Sequence, residues 1–284
     1  MFSYRHAFHA GNHADVLKHS ILVQLVQYLQ QKDKPFWYFD THAGAGLYAL
    51  DSEWANKTGE SAGGIEKLWE RTDLPPLVAD YIAQVRGFNP DGVLATYPGS
   101  PWLALQMLGE RDRLRLFEWH SSEVEVLHDN LRQRPRSEAR RTMIYHADGF
   151  VGLKALLPPP TRRGLILIDP SYEDKNDYRR VVHVVQEGLE RFATGCYAIW
   201  YPRIQRREAQ TLPDKLARLP IKSWLHATLT VGADDLKGVG LNGSGMFIIN
   251  PPYTLAGSLK LALPWLAKHL GHEGAGSFTL TSQG

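Results

Sequence analysis

Seven short apolar runs, most of them separated by helical patterns, leave this 284-residue chain few architectures to adopt. They are Phe36–Asp40, Leu114–Glu118, Thr142–His146, Gly164–Asp169, Tyr197–Tyr201, Trp224–Val231 and Gly245–Asn250. Each has the length of a buried strand, and strands that alternate with helices pair in parallel with helices on both faces. Between Val16 and Gln30, apolar residues at Leu17, Ile21, Leu25 and Tyr28 or Leu29 keep the spacing of one helix face. Asn12 is the expected N-cap of that helix, with Asp15 in its first turn. The fold class expected is α/β and Rossmann-like, with a seven-stranded, mostly parallel sheet. The stretch 52–96 breaks the rhythm. Gly63-Gly64, Pro75-Pro76 and Asn89-Pro-Asp-Gly92 punctuate it, and Ile65, Leu68 and Trp69, then Leu77, Tyr81, Ile82 and Val85, are spaced for short helices. It is expected to be an inserted helical subdomain within a main domain of residues 1–51 and 97–284.

Composition removes several function classes. Hydrophobic residues make up 43% and charged residues 22%, the balance of an ordinary globular protein. The single cysteine, Cys196, forbids an internal disulfide and a thiolate zinc cluster, and lies in an apolar run where a buried filler is expected rather than a nucleophile. No segment approaches the ~20 apolar residues of a membrane span, and the N-terminus lacks the apolar core of a secretion signal. A cytoplasmic protein without a membrane partner is expected. Net charge is only +2, yet Arg132, Arg134, Arg136, Arg140 and Arg141 cluster and Arg162-Arg163, Arg179-Arg180 and Arg206-Arg207 form doublets. Local basic patches on a near-neutral chain suit an enzyme that grips nucleic acid and releases it; each cluster alone is also compatible with solvated helix ends.

The strand ends carry the chemistry. Four successive strands finish at Asp40, Glu118, His146 (with Asp148 just beyond) and Asp169, where ligands of parallel sheets bind. The turn Asp40-Thr-His-Ala-Gly44-Ala-Gly46 lets a nucleotide approach the backbone closely. Gly44-Ala-Gly-Leu-Tyr-Ala49 formally fits a dinucleotide fingerprint, but that fingerprint wants an acidic strand end ~20 residues on, and the first one here is Glu118. S-adenosylmethionine, with a positive sulfonium and amino group, suits the acidic neighbours better: Asp40 before the turn, Glu118 for the ribose hydroxyls, Asp148 with Gly149 near the adenine.

Asp169-Pro-Ser-Tyr172 is close to the Asp-Pro-Pro-Tyr signature of enzymes that methylate amino groups of nucleobases. The adenine N6 lone pair is delocalised into the ring. A carboxylate and a backbone carbonyl, here Asp169 and Pro170, that accept its two hydrogens draw the nitrogen toward tetrahedral geometry. Tyr172 would offer a face on which an extruded base stacks. Asn250-Pro-Pro-Tyr253 is the nearer letter match, but it follows the last strand counted, away from the switch point, so Asp169 is preferred as the catalytic group. Near the N-terminus, His9 and His13 have helical ligand spacing, but no acidic residue completes a known zinc pattern and no metal is expected. Tyr4 could stack on a base and Lys18 meet a phosphate.

Taken with Ser3-Tyr-Arg-His6, His9–His19, Asp40–Gly46, Tyr97-Pro-Gly-Ser-Pro101, Ala147-Asp-Gly-Phe150, Arg162–Pro170 and Asn250-Pro-Pro252, the whole chain closely resembles the RlmJ family of bacterial 23S rRNA adenine-N6 methyltransferases. Older descriptions of that family concern the use of external DNA. The resemblance implies a class I S-adenosylmethionine-dependent methyltransferase fold with a small helical insertion. It implies cofactor contacts at His19, His42, Ser100, Glu118, Asp148, Gly149 and Asp169, beside Gly44 and Gly46 of the turn. Asp169 would be the catalytic acceptor and Tyr4 would touch the target nucleotide. Ser171 stands where the family has proline, which is expected to loosen the turn rather than remove its chemistry. The implied partner is 23S rRNA, naked or in early assembly, acted on by a monomer. Alternatives from the residues alone are adenine-N6 methylation of DNA, a non-catalytic nucleic-acid-binding protein of DNA uptake, and a nicotinamide dehydrogenase.

Overall fold

In the computed structural model, which describes residues 9–50, 59–232 and 241–284, helices cover both faces of one eight-stranded sheet. The chain begins with α1 (His13–Gln30), then β1 (Trp37–Asp40) and β2 (Leu47–Ala49). Next come α2 (Glu66–Trp69), α3 (Pro76–Arg86), β3 (Thr96–Pro98), α4 (Ser100–Met107) and β4 (Arg113–Glu118). Then follow α5 (Ser121–Arg132), α6 (Arg136–Arg141), β5 (Thr142–His146), α7 (Gly149–Gly152) and β6 (Gly164–Ile168). The remainder is α8 (Asn176–Arg191), β7 (Cys196–Pro202), α9 (Arg207–Ala217), β8 (Trp224–Thr230), β9 (Gly243–Ile249), α10 (Leu255–Leu270) and β10 (Ser277–Gln283).

Strand order is β10-β8-β9-β7-β6-β1-β4-β5. β1 runs parallel to β4 on one side and β6 on the other, with Asp40 level with Leu116 and Leu167. β5 and β7 extend this parallel block, and β9, β8 and β10 join it antiparallel. All seven strands expected from the apolar runs are present. The eighth is not legible in them: the Gly- and Ser-rich terminus forms β10, whose partner β8 lies some fifty residues upstream and whose apolar content is limited to Phe278 and Leu280.

Side chains along each central strand alternate between two cores, as a pleated strand requires. Leu165 and Leu167 join α1, α4 and α10 on one face; Ile166 and Ile168 join α8 and α9 on the other. Leu17, Ile21 and Leu25 of α1 are buried in the first core. So are Ile65, Leu68, Leu77, Tyr81, Ile82 and Val85 of the helices between β2 and β3, which therefore share the main core instead of building their own. A polar chain runs through this packing: Tyr97 Oη meets His19 Nδ1 at 2.7 Å and Tyr81 Oη at 2.9 Å. Among the described residues, no helix is long and apolar enough to cross a membrane.

α1 starts where expected. Asn12 caps it, its side-chain oxygen accepting from the backbone N–H groups of Ala14 (2.9 Å) and Asp15 (3.0 Å), and its amide donates to Glu60 Oε2 at 2.8 Å. Replacing Asn12 with alanine is expected to lower unfolding free energy by about 1 kcal/mol in urea denaturation.

Candidate active site

A cleft opens at the carboxyl ends of β1, β4 and β6 and is floored in part by α1 and the start of α4. Asp40, at the end of β1, is wholly buried behind its wall and organises it. One carboxylate oxygen accepts from Tyr38 Oη (2.8 Å) and Ser100 Oγ (2.6 Å), the other from the His42 N–H (3.2 Å). Burial raises the Asp40 carboxyl above its usual range although these hydrogen bonds oppose the shift. Asp40 thereby holds the first residue of α4 against the turn that follows β1.

That turn does not lead into a helix. Leu47–Ala49 forms β2, paired antiparallel with Thr96–Pro98, and α4 follows directly on that second strand. The dinucleotide fingerprint fails on this point, since a pyrophosphate would need a helix N-terminus directly after the glycines. The Gly44 N–H is also committed: it donates to Glu118 Oε2 at 2.8 Å, and the His120 N–H donates to Oε1 at 2.7 Å. These two bonds fix the Glu118 carboxylate at the end of β4, while burial still pushes its pKa up. Gly46 is not in the cleft wall. Its φ of +79° and the 2.8 Å separation of an added Cβ from Leu127 make it a packing glycine.

Beyond β5, Asp148 caps α7 through the Phe150 N–H at 2.9 Å. A Cβ on Gly149 would stand 2.0 Å from the Thr41 carbonyl, so only glycine allows this approach of α7 to β1. Phe150 receives the His42 ring edge-on at 4.8 Å and carries the Arg180 guanidinium over its face at 4.3 Å. Arg180 pairs with Asp148 and, at 3.6 Å, with Asp177 of the same helix. Burial pushes Asp177 up to about 6 against that pairing, and pushes His42 down to about 3, so His42 is neutral at pH 7.

The third wall is the segment after β6. Asp169, Pro170 and Ser171 line the cleft. Asp169 Oδ2 accepts from Lys18 Nζ at 2.6 Å, and Lys18 also reaches Asp15 Oδ1 at 2.8 Å. Burial alone would lower the Lys18 pKa, but the two carboxylates outweigh it and hold the ammonium charged, above the usual lysine range. Lys18 is thus an ion-pair partner of Asp169, a role its sequence position did not disclose. Tyr172 corrects an expectation: it does not face the cleft. Its φ is +56°, its ring is 3% exposed and packs on Tyr178 at 4.5 Å, and its hydroxyl donates to the Trp200 carbonyl at 2.7 Å. It has no open face for a base. Tyr4 lies outside the described residues.

Asn250-Pro-Pro-Tyr253 is remote for a topological reason. β9 runs antiparallel, so Asn250 emerges at the opposite edge of the sheet, where its amide caps the carbonyls of Ala193 (2.8 Å) and Gly195 (2.7 Å). His9 pairs with Glu60 and His13 Nε2 with the Leu241 carbonyl; among the described residues no cluster is placed to hold a metal.

The cleft therefore gathers Lys18, His19, His42, Gly44, Ser100, Glu118, Asp148, Gly149, Asp169 and Pro170 of the expected residues, and omits Gly46 and Tyr172. Sequence reasoning passed over Trp119, Phe150, Asp177 and Arg180. Trp119, 58% exposed, directly follows an acidic strand end, and Asp177 and Arg180 are three apart on the helix after Asp169; those spacings were the available signals. Carboxylates lining the cleft (Glu118, Glu123, Asp148, Asp169, Asp177) outnumber its cations (Lys18, Arg180), which favours a positively charged ligand.

Comparison with known proteins points to one family. Residues 33–282 match the family model described as ribosomal RNA large subunit methyltransferase D, RlmJ. The chain is 46% identical to ribosomal RNA large subunit methyltransferase J of Escherichia coli, over 99% of this chain and 98% of that one. It is 44% identical to the protein of the same name from Haemophilus influenzae, with the same coverage. The crystal structure of protein LPL1258 from Legionella pneumophila is similar at TM-score 0.87 and 37% identity, covering 97% of this chain and 98% of that one.

Two outcomes test the geometry. Tyr172→Ala is expected to cost about 3–5 kcal/mol in chemical denaturation, a core-cavity loss that a solvent-facing stacking residue would not show. A histidine whose native pKa is about 3 rather than 6.5 binds fewer protons folded than unfolded. Stability from His42 is therefore complete above pH 6.5 and declines as pH falls toward 3, and His42→Asn should flatten that part of the stability–pH curve.

Proposed function

Because this chain belongs to the RlmJ family of ribosomal RNA large subunit methyltransferases, we propose that it transfers a methyl group from S-adenosylmethionine to N6 of an adenine in 23S rRNA. The observation that carries this reading is Asp169, held by Lys18 at the end of the strand beside β1 and sharing one cleft with Glu118 and the Gly44 turn.

The residues present fit the cofactor. The surplus of carboxylates suits a cation, and Gly149 lets α7 pack directly against the Thr41 backbone at the cleft wall. Glu118, fixed by two backbone N–H groups, retains lone pairs for the ribose hydroxyls. His42, neutral and edge-on to Phe150, adds no positive charge to oppose a sulfonium. Asp148, Gly149 and Trp119 are the groups for the adenine end; His19 and Ser100 lie on the floor and Asp169 closes the other end. S-adenosylmethionine, when bound, supplies a methyl group on a positively charged sulfur.

The chain's own residues bind and aim the target amino group. Lys18 occupies Oδ2 of Asp169, which orients the carboxylate and leaves Oδ1 to accept one amino hydrogen. The Pro170 carbonyl is suited to accept the other. Together they draw the nitrogen lone pair out of conjugation, and the negative charge of Asp169 stabilises the positive charge that develops on nitrogen. Alignment contributes the rest. The extra proton leaves N6 after transfer, so Asp169 need not remove it beforehand. Tyr172 shapes the Pro170–Ser171 turn from beneath and does not stack on the base; Tyr4 is the aromatic candidate that the sequence leaves for that contact. An rRNA substrate implies a cytoplasmic site of action.

Asp169→Asn, assayed with 23S transcripts and labelled methyl donor, is expected to lose ~10²–10³-fold or more in turnover while calorimetry shows near-wild-type cofactor affinity. Wild-type turnover by this variant removes Asp169 from the mechanism, and methylation of DNA but not RNA by the wild type overturns the substrate.

A further inference from the structure

The antiparallel end of the sheet carries a second groove, of about 680 Å³, which methyl transfer does not use. Its floor is one face of the β8–β10 pair. Register sets Thr230 opposite Ser277, Thr228 opposite Thr279 and His226 opposite Thr281, so polar side chains alternate onto a single face. Leu225, Ala227 and Leu229 turn to the other face and join the core with α10. α9 forms one wall through Gln210 and Asp214.

The groove rim reaches the catalytic segment. Arg203, Arg206 and Arg207 are exposed at the end of β7, the strand next to β6. Arg206 Nη1 donates at 3.0 Å to the Tyr172 carbonyl, three residues beyond Asp169. Arg203 Nη1 donates at 2.6 Å to Thr230 Oγ1 on the groove floor. Arg203 and Arg206 are thus engaged with a hydroxyl and a carbonyl, both neutral partners, and Asp214 is the carboxylate that lines the same groove.

Given the rRNA reading of the cleft, on which this rests, we infer that the groove holds the sugar–phosphate backbone of the RNA flanking the target adenine. Guanidinium, amide and hydroxyl groups are the ones that contact phosphate and sugar oxygens. Threonine hydroxyls both donate and accept, which matches a ribose 2′-hydroxyl. Tyr201 is only 3% exposed, and its hydroxyl is tied to His226 Nε2 at 2.7 Å, so the groove presents no platform for stacked bases. The strand is tracked by its backbone while the adenine enters the cleft next door. A solvated sheet face with no partner is the competing account.

The test uses the 23S transcript that the wild-type protein methylates. Arg203→Ala should raise its Kd about fivefold and reduce the slope of log affinity against log salt by about one, with Arg203→Lys restoring most of both. Thr230→Val should weaken RNA binding about twofold with the salt slope unchanged, since it removes a hydroxyl but no charge. Cofactor affinity by calorimetry should be unaltered in all three. If Arg203→Ala binds the transcript like wild type at every salt concentration, the groove assignment is overturned, while methylation by the wild type leaves the cleft assignment standing. If the wild type neither binds nor methylates any 23S transcript, both fall.

Discussion

Parallel pairing of β1 between β4 and β6 is the constraint on which the candidate site depends. A strand flanked by parallel neighbours delivers its last residue, and theirs, to the same edge of the sheet. Glu118 and Asp169 come out on either side of the turn after Asp40 for that reason alone. The same rule explains why Asn250-Pro-Pro-Tyr253, the closer letter match, plays a structural part, since its strand runs the other way and ends at the opposite edge. Direction of a strand, a property of the sheet and not of the segment, separates the two motifs.

Gathering acids at one edge carries a cost, because a buried carboxylate without partners is strongly destabilising. The chain meets it residue by residue. Asp40 takes three donors from its own wall, Glu118 takes two backbone N–H groups, Asp15 and Asp169 share the Lys18 ammonium, and Asp148 and Asp177 share Arg180. The partners satisfy geometry more than charge, since Lys18 and Arg180 each serve two carboxylates. A negative surplus remains in the cleft, and it is what a cationic ligand can use.

The two ends of the sheet differ in chemistry. The parallel end carries a cleft in which carboxylates outnumber cations. The antiparallel extension is open, lined with hydroxyls and edged by arginines. Arg206 bridges them by holding the carbonyl of Tyr172, so the segment that presents Asp169 is braced from the side where the strand would lie. Tyr172, with its ring in the core beneath, braces the same segment from below.

Local sequence was enough for the α/β class, the seven apolar strands, the Asn12 cap and most of the acidic strand ends, because each of these follows from periodicity or from a residue's own hydrogen-bonding capacity. It was also enough, through long matches to a known family, for the chemistry. Contacts between distant segments were beyond it. β10 owes its existence to a partner strand remote in sequence; Lys18 becomes the companion of Asp169 only when α1 packs on the sheet; Tyr172 turns inward because a positive φ and the packing of Tyr178 leave its ring no outward path. What a residue can do was written in the chain, and which neighbour it does it with was decided when the sheet closed, since hydrogen bonds and burial depend on separations that sequence spacing does not encode.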